Sequence, residues 1–194
     1  MLFLPAPVMA LSIYTDANPP QADSPSAGTV DGPTEASRIR KLADYIQDTY
    51  QVRRERASVI VSEAINSAAQ HDLEPELILA VIAVESTFKE RAVSPKGARG
   101  LMQILPRSHP DTVEDIGGAH ALFDPRKNIY AGSRILVSYL DRSKGNVHKA
   151  LLRYNGSYGD PRSGYARKVL GVYQKLKKLD DREAHNTKTD EELG

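Results

Sequence analysis

Glu85 is the residue from which a chemical reading of this chain starts. It interrupts an apolar run, Leu77 to Val84, at a position where another apolar residue is expected. On a helix Ile78, Val81, Ile82 and Glu85 recur at spacings of three and four, so the carboxylate continues the buried stripe. Burial favours the neutral form of a carboxyl group, and the negative end of a helix macrodipole acts in the same direction. The residue type and place therefore fit a general acid that stays protonated near neutral pH. The plainer alternative is a partly exposed glutamate paired with Lys89, four residues on.

The residues that follow Glu85 add to this. The loop Ser94–Gly100, SPKGARG, carries Pro95, Gly97 and Gly100, which permit turns and close approach of the backbone to a ligand. It leads into GLMQI, Gly100 to Ile104, where Gln103 sits in an apolar turn. That amide is either a satisfied core group or a hydrogen-bonding group lining a cleft beside Glu85. Between Glu90 and Asp111 the chain has no Asp or Glu, whereas Lys89, Arg91, Lys96, Arg99 and Arg107 are basic. Ordinary glycosidases flank the scissile bond with two carboxylates. This segment offers one, together with cations that either attract an anionic substrate or form a solvated basic face.

Four motifs occur in order: Glu85-Ser86, GLMQI from Gly100, NIYAG from Asn128 to Gly132, and Tyr154-Asn155. Together they resemble the soluble lytic transglycosylase (SLT) domain of the family 1 lytic transglycosylases, over roughly Leu73 to Leu176. The resemblance implies a lysozyme-like, mainly α domain that cleaves peptidoglycan glycan strands between N-acetylmuramic acid and N-acetylglucosamine. It implies Glu85 as the single catalytic acid and base, Ser94 as a substrate contact near the scissile sugar, and Gln103 as a cleft-lining amide. Tyr154 matches the tyrosine whose hydroxyl points at the catalytic carboxyl group, Asn155 is its structural neighbour, and Tyr165 corresponds to a cleft tyrosine later in the domain. One segment departs from the family pattern: after Arg153, Tyr154 and Asn155 come Gly156, Ser157 and Tyr158 in place of the usual alanine-glycine pair. The competing readings are a lysozyme-type hydrolase drawing a second acid from Asp111, Glu114 or Asp115, and a catalytically silent glycan-binding domain of an envelope or secretion assembly.

These residues must be held by helices. Ile39, Leu42 and Ile46 predict a first helix, and Val59, Ile65 and neighbouring alanines a second from about Ala57 to Gln70. Asp72 to Pro75 turns the chain into the central helix. Asp124 and Pro125 form an N-cap and N1 pair for a long helix to about Ser143, with Ile129, Ile135, Leu136, Tyr139 and Leu140 inside. Asn146 caps a shorter helix with Ala150, Leu151 and Tyr154. A last helix from about Ser163 to Leu179 faces inward through Tyr165, Val169, Val172, Tyr173 and Leu176. Strand signals are weak, so at most a small β element is expected, in the loop before Gly100.

With 194 residues, 40% hydrophobic and 26% charged, the chain suits one domain with tails. The expected organisation is a signal-peptide-like start and disordered linker over 1–33, the lysozyme-like domain over 34–180, and a disordered charged tail over 181–194. The apolar start MLFLPAPVMALS ends in small residues but lacks the basic leader of a complete export signal and is too short to span a bilayer, so it is read as an incomplete or degenerate export signal with cleavage after Ala10, the alternative being a disordered start that happens to be apolar. A net charge of +1 gives no reason to expect nucleic acid as a partner. With no cysteine, and with the five histidines scattered, no metal site is expected. No cofactor is implied. The expected protein is a monomer acting in the periplasm or outside the cell.

Overall fold

The computed structural model describes residues 34–160 and 162–191, with side chains through Leu179. The expected signal-like start and linker over 1–33 lie outside the described residues. Seven α-helices follow in order: α1 (Glu35–Tyr50), α2 (Arg54–His71), α3 (Pro75–Ser86), α4 (Pro110–Asp115), α5 (Pro125–Arg142), α6 (Val147–Tyr154) and α7 (Tyr165–Glu191). The fold is mainly α. The expected small β element takes the form of two isolated antiparallel bridges, Val93 with Arg99 and Arg99 with Ile104, in the loop that leads to GLMQI.

The sequence places the helix starts through capping. The Thr34 hydroxyl accepts the Ser37 N–H at 3.2 Å, the Asp124 carboxylate accepts that of Lys127 at 3.0 Å, and the Asn146 side chain accepts that of Lys149 at 2.9 Å. Each satisfies a donor that the first turn leaves without an intrahelical partner. Proline at the first position of α3, α4 and α5 costs no hydrogen bond there.

Helix α3 is the axis of the core. Ile78, Leu79, Ala80, Val81 and Ile82 have no exposed surface, so the helix is enclosed on every side, with α2 and α7 packed against it. Burying a side chain of this size contributes about 1.5–3 kcal/mol, which makes α3 the element least able to shift. Even its one early carboxylate, Glu76, is fully buried, and it is ion-paired with Arg38 of α1.

Two expectations differ from what forms. Val59 is 44% exposed, because the buried stripe of α2 runs through Ala57, Ile60, Val61, Ala64 and Ala68 and leaves position 59 outside it. The expected disordered tail from 181 is also not where the backbone stops being helical. Helix α7 continues to Glu191, through a stretch with no glycine or proline and with helix formers such as Leu179, Arg182, Glu183 and Ala184.

Candidate active site

Glu85 lies in the last turn of α3, and the chain leaves the helix abruptly after it. Thr87 and Phe88 both take left-handed backbone conformations, with φ of 49° and 62°. Two such residues in succession, one of them β-branched, cost energy that the surroundings must repay. Phe88 supplies part of this by burying its ring, 4% exposed, against Tyr50 at 4.9 Å between centroids. Because the helix has ended, Lys89 is not positioned as an i+4 partner. Its backbone N–H bonds the Ser86 carbonyl at 3.1 Å and its side chain is exposed.

The partner of Glu85 is Tyr165, the first residue of α7, whose hydroxyl donates to Glu85 Oε1 at 2.6 Å. Burial raises the Glu85 carboxyl above the ordinary carboxylate range, and the Tyr165 hydrogen bond partly offsets this by favouring the ionised form. Among the described residues, no second carboxylate contributes to the shift. Tyr165 itself is pushed far above the usual tyrosine range, first by burial and then by the Glu85 charge, so it remains a donor.

Tyr154 departs from the expectation that its hydroxyl points at the catalytic carboxyl group. It donates instead to the backbone carbonyl of Met102 at 2.8 Å. Tyr154 ends α6 beside the GLMQI turn, whereas Tyr165 is carried to Glu85 by the packing of α7 along α3. Tyr154 is still within reach of the Glu85 field: burial, then Glu85, then Tyr139 raise it well above the usual tyrosine range. The two tyrosines thus divide the work, Tyr165 holding the carboxyl and Tyr154 holding the loop.

The GLMQI turn is locked from below by a residue for which the sequence reading proposed no role. Asn128, in the first turns of α5, is 1% exposed. Its amide donates to the carbonyls of Arg99 at 3.0 Å and Leu122 at 2.8 Å, and its Oδ1 accepts the Met102 N–H at 2.8 Å. The glycines of the two motifs complete the fit. Gly100 has φ +76°, and a Cβ there would lie 2.1 Å from the Leu122 carbonyl oxygen; a Cβ on Gly132 would lie 2.3 Å from Met102 Sδ. NIYAG and GLMQI are therefore two halves of one contact. A buried Asn in an otherwise apolar helix face was the signal available in the sequence.

The remaining expected site residues distribute along this frame. The Gln103 amide nitrogen donates to the carbonyls of Gly100 at 3.0 Å and Ala92 at 3.2 Å, while the side chain also lines a surface groove. The amide is thus hydrogen-bonded within its own loop, at a half-buried position on the wall of a groove whose lining does not include Glu85. Tyr154 and Asn155 line the same groove. The Ser94 hydroxyl accepts the Ala98 N–H at 3.0 Å and so closes the loop on itself. Asp115, one of the acids considered for a hydrolase, pairs with Arg134 at 2.5 Å. A cavity of 890 Å³ among α2, α4 and the start of α5 is lined by none of the expected site residues.

The family model for the transglycosylase SLT domain matches residues 63–168, more than half of the chain. The chain belongs to this family. The matched span of the SLT domain contains Glu85, GLMQI, NIYAG and Tyr154-Asn155 together. Over 114 residues the chain is 39% identical to the transglycosylase of Enterobacteria phage PRD1, covering 56% of this chain and 41% of that protein. It is 35% identical over 106 residues to the membrane-bound lytic murein transglycosylase C of Yersinia pestis (strain Pestoides F), covering 48% of this chain and 30% of that one. The chain thus spans less than half the length of these relatives. Among solved structures, an inactive mutant of the lytic transglycosylase Slt from Pseudomonas aeruginosa superimposes with a TM-score of 0.50 at 20% identity, over 71% of this chain and 28% of that chain. The mainly α, lysozyme-like fold is shared with it. No helix among the described residues is long and apolar enough to cross a membrane.

Proposed function

We propose that this protein is a lytic murein transglycosylase that cleaves the β-1,4 bond between N-acetylmuramic acid and N-acetylglucosamine and leaves a 1,6-anhydromuramic end. The observation that carries this reading is one carboxyl group, Glu85, raised by burial, held by the Tyr165 hydroxyl at 2.6 Å, and without a second carboxylate acting on it among the described residues. A mechanism with one carboxyl group needs it to serve twice.

In the first step Glu85 donates its proton to the glycosidic oxygen as the bond from that oxygen to C1 breaks. The carbonyl oxygen of the substrate's own N-acetyl group closes on C1 and takes the place of a protein nucleophile. Ionised Glu85, steadied by Tyr165, then removes the proton of the C6 hydroxyl. O6 bonds to C1 and the N-acetyl oxygen leaves. Glu85 ends protonated, as it began, and no water is consumed. Ser94 and Gln103 shape the loop over the cleft, and Tyr154 and Asn155 line it. The names of the relatives, which include a murein transglycosylase, support the substrate class. Murein lies outside the cytoplasm, so the proposed place of action is the periplasm or cell envelope, with the chain as a monomer or in the service of an envelope or secretion assembly.

The test is mass spectrometry of fragments released from purified peptidoglycan by the native protein and by Glu85→Gln. Anhydro-ended fragments from the native protein alone are expected. Reducing ends would replace the transglycosylase by a hydrolase, and binding without release would replace it by a glycan-binding domain.

A further inference from the structure

The segment that joins α6 to α7 is where this chain departs from the family pattern, and it also delivers Tyr165 to Glu85. Tyr165 is the first residue of α7. The N–H groups of a first helical turn have no intrahelical acceptors, and helix ends are among the parts of a structure that open most easily. Yet the Tyr165 hydroxyl lies 2.6 Å from Glu85 Oε1. The residue before the helix is Gly164, which has no side chain with which to cap it.

Ser163 supplies the missing acceptor. Its Oγ accepts the Tyr165 N–H at 3.4 Å and lies 2.9 Å from the Ser157 Oγ. A serine oxygen that accepts one bond keeps its own proton to donate, so both contacts are satisfied when Ser163 donates to Ser157. Ser157 is fixed in turn to the end of α6, its N–H bonded to the Leu152 carbonyl at 2.8 Å. Asp160 tightens the loop between the two serines: its N–H bonds the Ser157 carbonyl at 2.9 Å, and its own carbonyl accepts the Ser163 N–H at 3.1 Å. Both serines are half-buried, while Gly156, Tyr158, Gly159 and Arg162 around them are exposed. A chain of hydrogen bonds therefore runs from the end of α6, where Tyr154 holds the Met102 carbonyl, to the first turn of α7, where Tyr165 holds Glu85.

Ser157 is the second residue after Asn155 and stands in the place of the glycine of the usual alanine-glycine pair. A glycine there has no hydroxyl with which to reach Ser163. The contact thus belongs to the part of the segment that sets this chain apart.

Resting on the reading of Glu85 as the acid of a murein-cleaving site, we propose that Ser157 and Ser163 are positioning residues. Their hydroxyls clip the loop between α6 and α7 and hold the first turn of α7 where the Tyr165 hydroxyl meets Glu85. The clip acts only through Tyr165. The other titratable group within the field of Glu85, Tyr154 on α6, gives its hydroxyl to the Met102 carbonyl and does not take over.

The experiment titrates the Glu85 carboxyl group by carbon NMR in the full chain with isotope-labelled glutamate, its resonance identified by its absence in Glu85→Gln. Native protein is compared with Ser157→Ala, Ser157→Thr, Tyr165→Phe and the double variant Ser157→Ala, Tyr165→Phe. Ser157→Ala removes one half-buried hydroxyl from an exposed loop and leaves the contact of Ser163 with Tyr165 in place, so it is expected to fold, which circular dichroism checks. A Tyr165 hydroxyl held less firmly supports the carboxylate less. The Glu85 midpoint therefore moves to higher pH in Ser157→Ala, by less than in Tyr165→Phe, and Ser157→Thr, which keeps the hydroxyl, returns it to the native value. In the double variant Ser157→Ala adds nothing to Tyr165→Phe, because the two changes act through one bond. An unmoved midpoint in Ser157→Ala, or a shift that adds to that of Tyr165→Phe, overturns the proposal. Fragment release from purified peptidoglycan is read on the same variants, and the maximal rate of Ser157→Ala is expected to fall roughly two- to tenfold, the scale of one neutral hydrogen bond. If the native protein releases no fragments, the transglycosylase reading falls, while the titration still decides whether the clip holds Tyr165 on Glu85.

Discussion

Replacing Tyr165 with phenylalanine removes one oxygen and leaves the ring that packs at the start of α7. The ring is buried, 9% exposed, so the substitution conserves shape and the helix packing with it. What is lost is the hydroxyl that donates to Glu85 Oε1 at 2.6 Å. Hydrogen bonds to a charged group contribute about 1.5–3 kcal/mol, and 1.36 kcal/mol corresponds to a factor of ten in a protonation equilibrium. Removing the bond therefore shifts the balance of Glu85 further toward its neutral form. The sign follows from which form the hydroxyl serves: it stabilises the carboxylate, so without it the carboxyl group holds its proton to higher pH. Two consequences separate in a pH profile of fragment release. The alkaline limb, where Glu85 loses the proton it must donate, moves to higher pH. The maximum rate falls, because the ionised intermediate that must take the C6 proton has lost its donor. Thermal unfolding of Tyr165→Phe alongside the profile separates this from a structural effect, since the melting temperature is expected to stay close to native. An alkaline limb that stays in place or moves down would show that Tyr165 does not govern the charge of Glu85.

Glu85→Gln is expected to abolish release and to stabilise the fold. An acid whose carboxyl is raised in the folded state gives up its proton more readily when unfolded, so the penalty is present above the ordinary carboxylate range and vanishes below it. The melting temperature of the variant should exceed native at about pH 8 and converge with it below about pH 4; a gain independent of pH would contradict the assignment. Asn128→Ala leaves the Met102 N–H and the Arg99 and Leu122 carbonyls without their partner, at about 1–3 kcal/mol for each buried group, so urea unfolding should show a loss of roughly 3 kcal/mol or more. Gly132→Ala would gain about 1 kcal/mol from helix propensity in an open site but meets Met102 Sδ at 2.3 Å. A net destabilisation of about 1–3 kcal/mol is expected from overpacking, and a stabilised variant would mean that Met102 moves aside freely.

Much of this protein is legible in the chain. The capping residues Asp124 and Asn146 and the apolar period of α5 and α6 are local signals, and the helices begin where those residues stand because first-turn donors need acceptors wherever the helix is. Glu85 is legible for the same reason, since one carboxylate in an apolar run is anomalous before any packing is known. The order of motifs marks the family, and the matched span bears it out. The sequence of α2 admits a stripe through Val59 because several apolar phases coexist in an alanine-rich helix, and only contact with α1, α3 and α5 selects one.

What the sequence left open is which groups meet. The resemblance implies Tyr154 as the partner of Glu85 and Tyr165 as a later cleft tyrosine, and positions 69 and 80 residues away in one dimension offer nothing to correct that. The choice is made by α7 lying along α3 while α6 ends beside Met102. The union of GLMQI with NIYAG through Asn128 is likewise invisible until a buried amide is seen between three backbone groups. Residue types and local periodicity determine which chemistry is available and which segments are helical, because those depend on neighbours within a few residues. Tertiary packing alone decides which hydroxyl reaches the carboxyl group, because that distance is set by helices brought together from far apart in the chain.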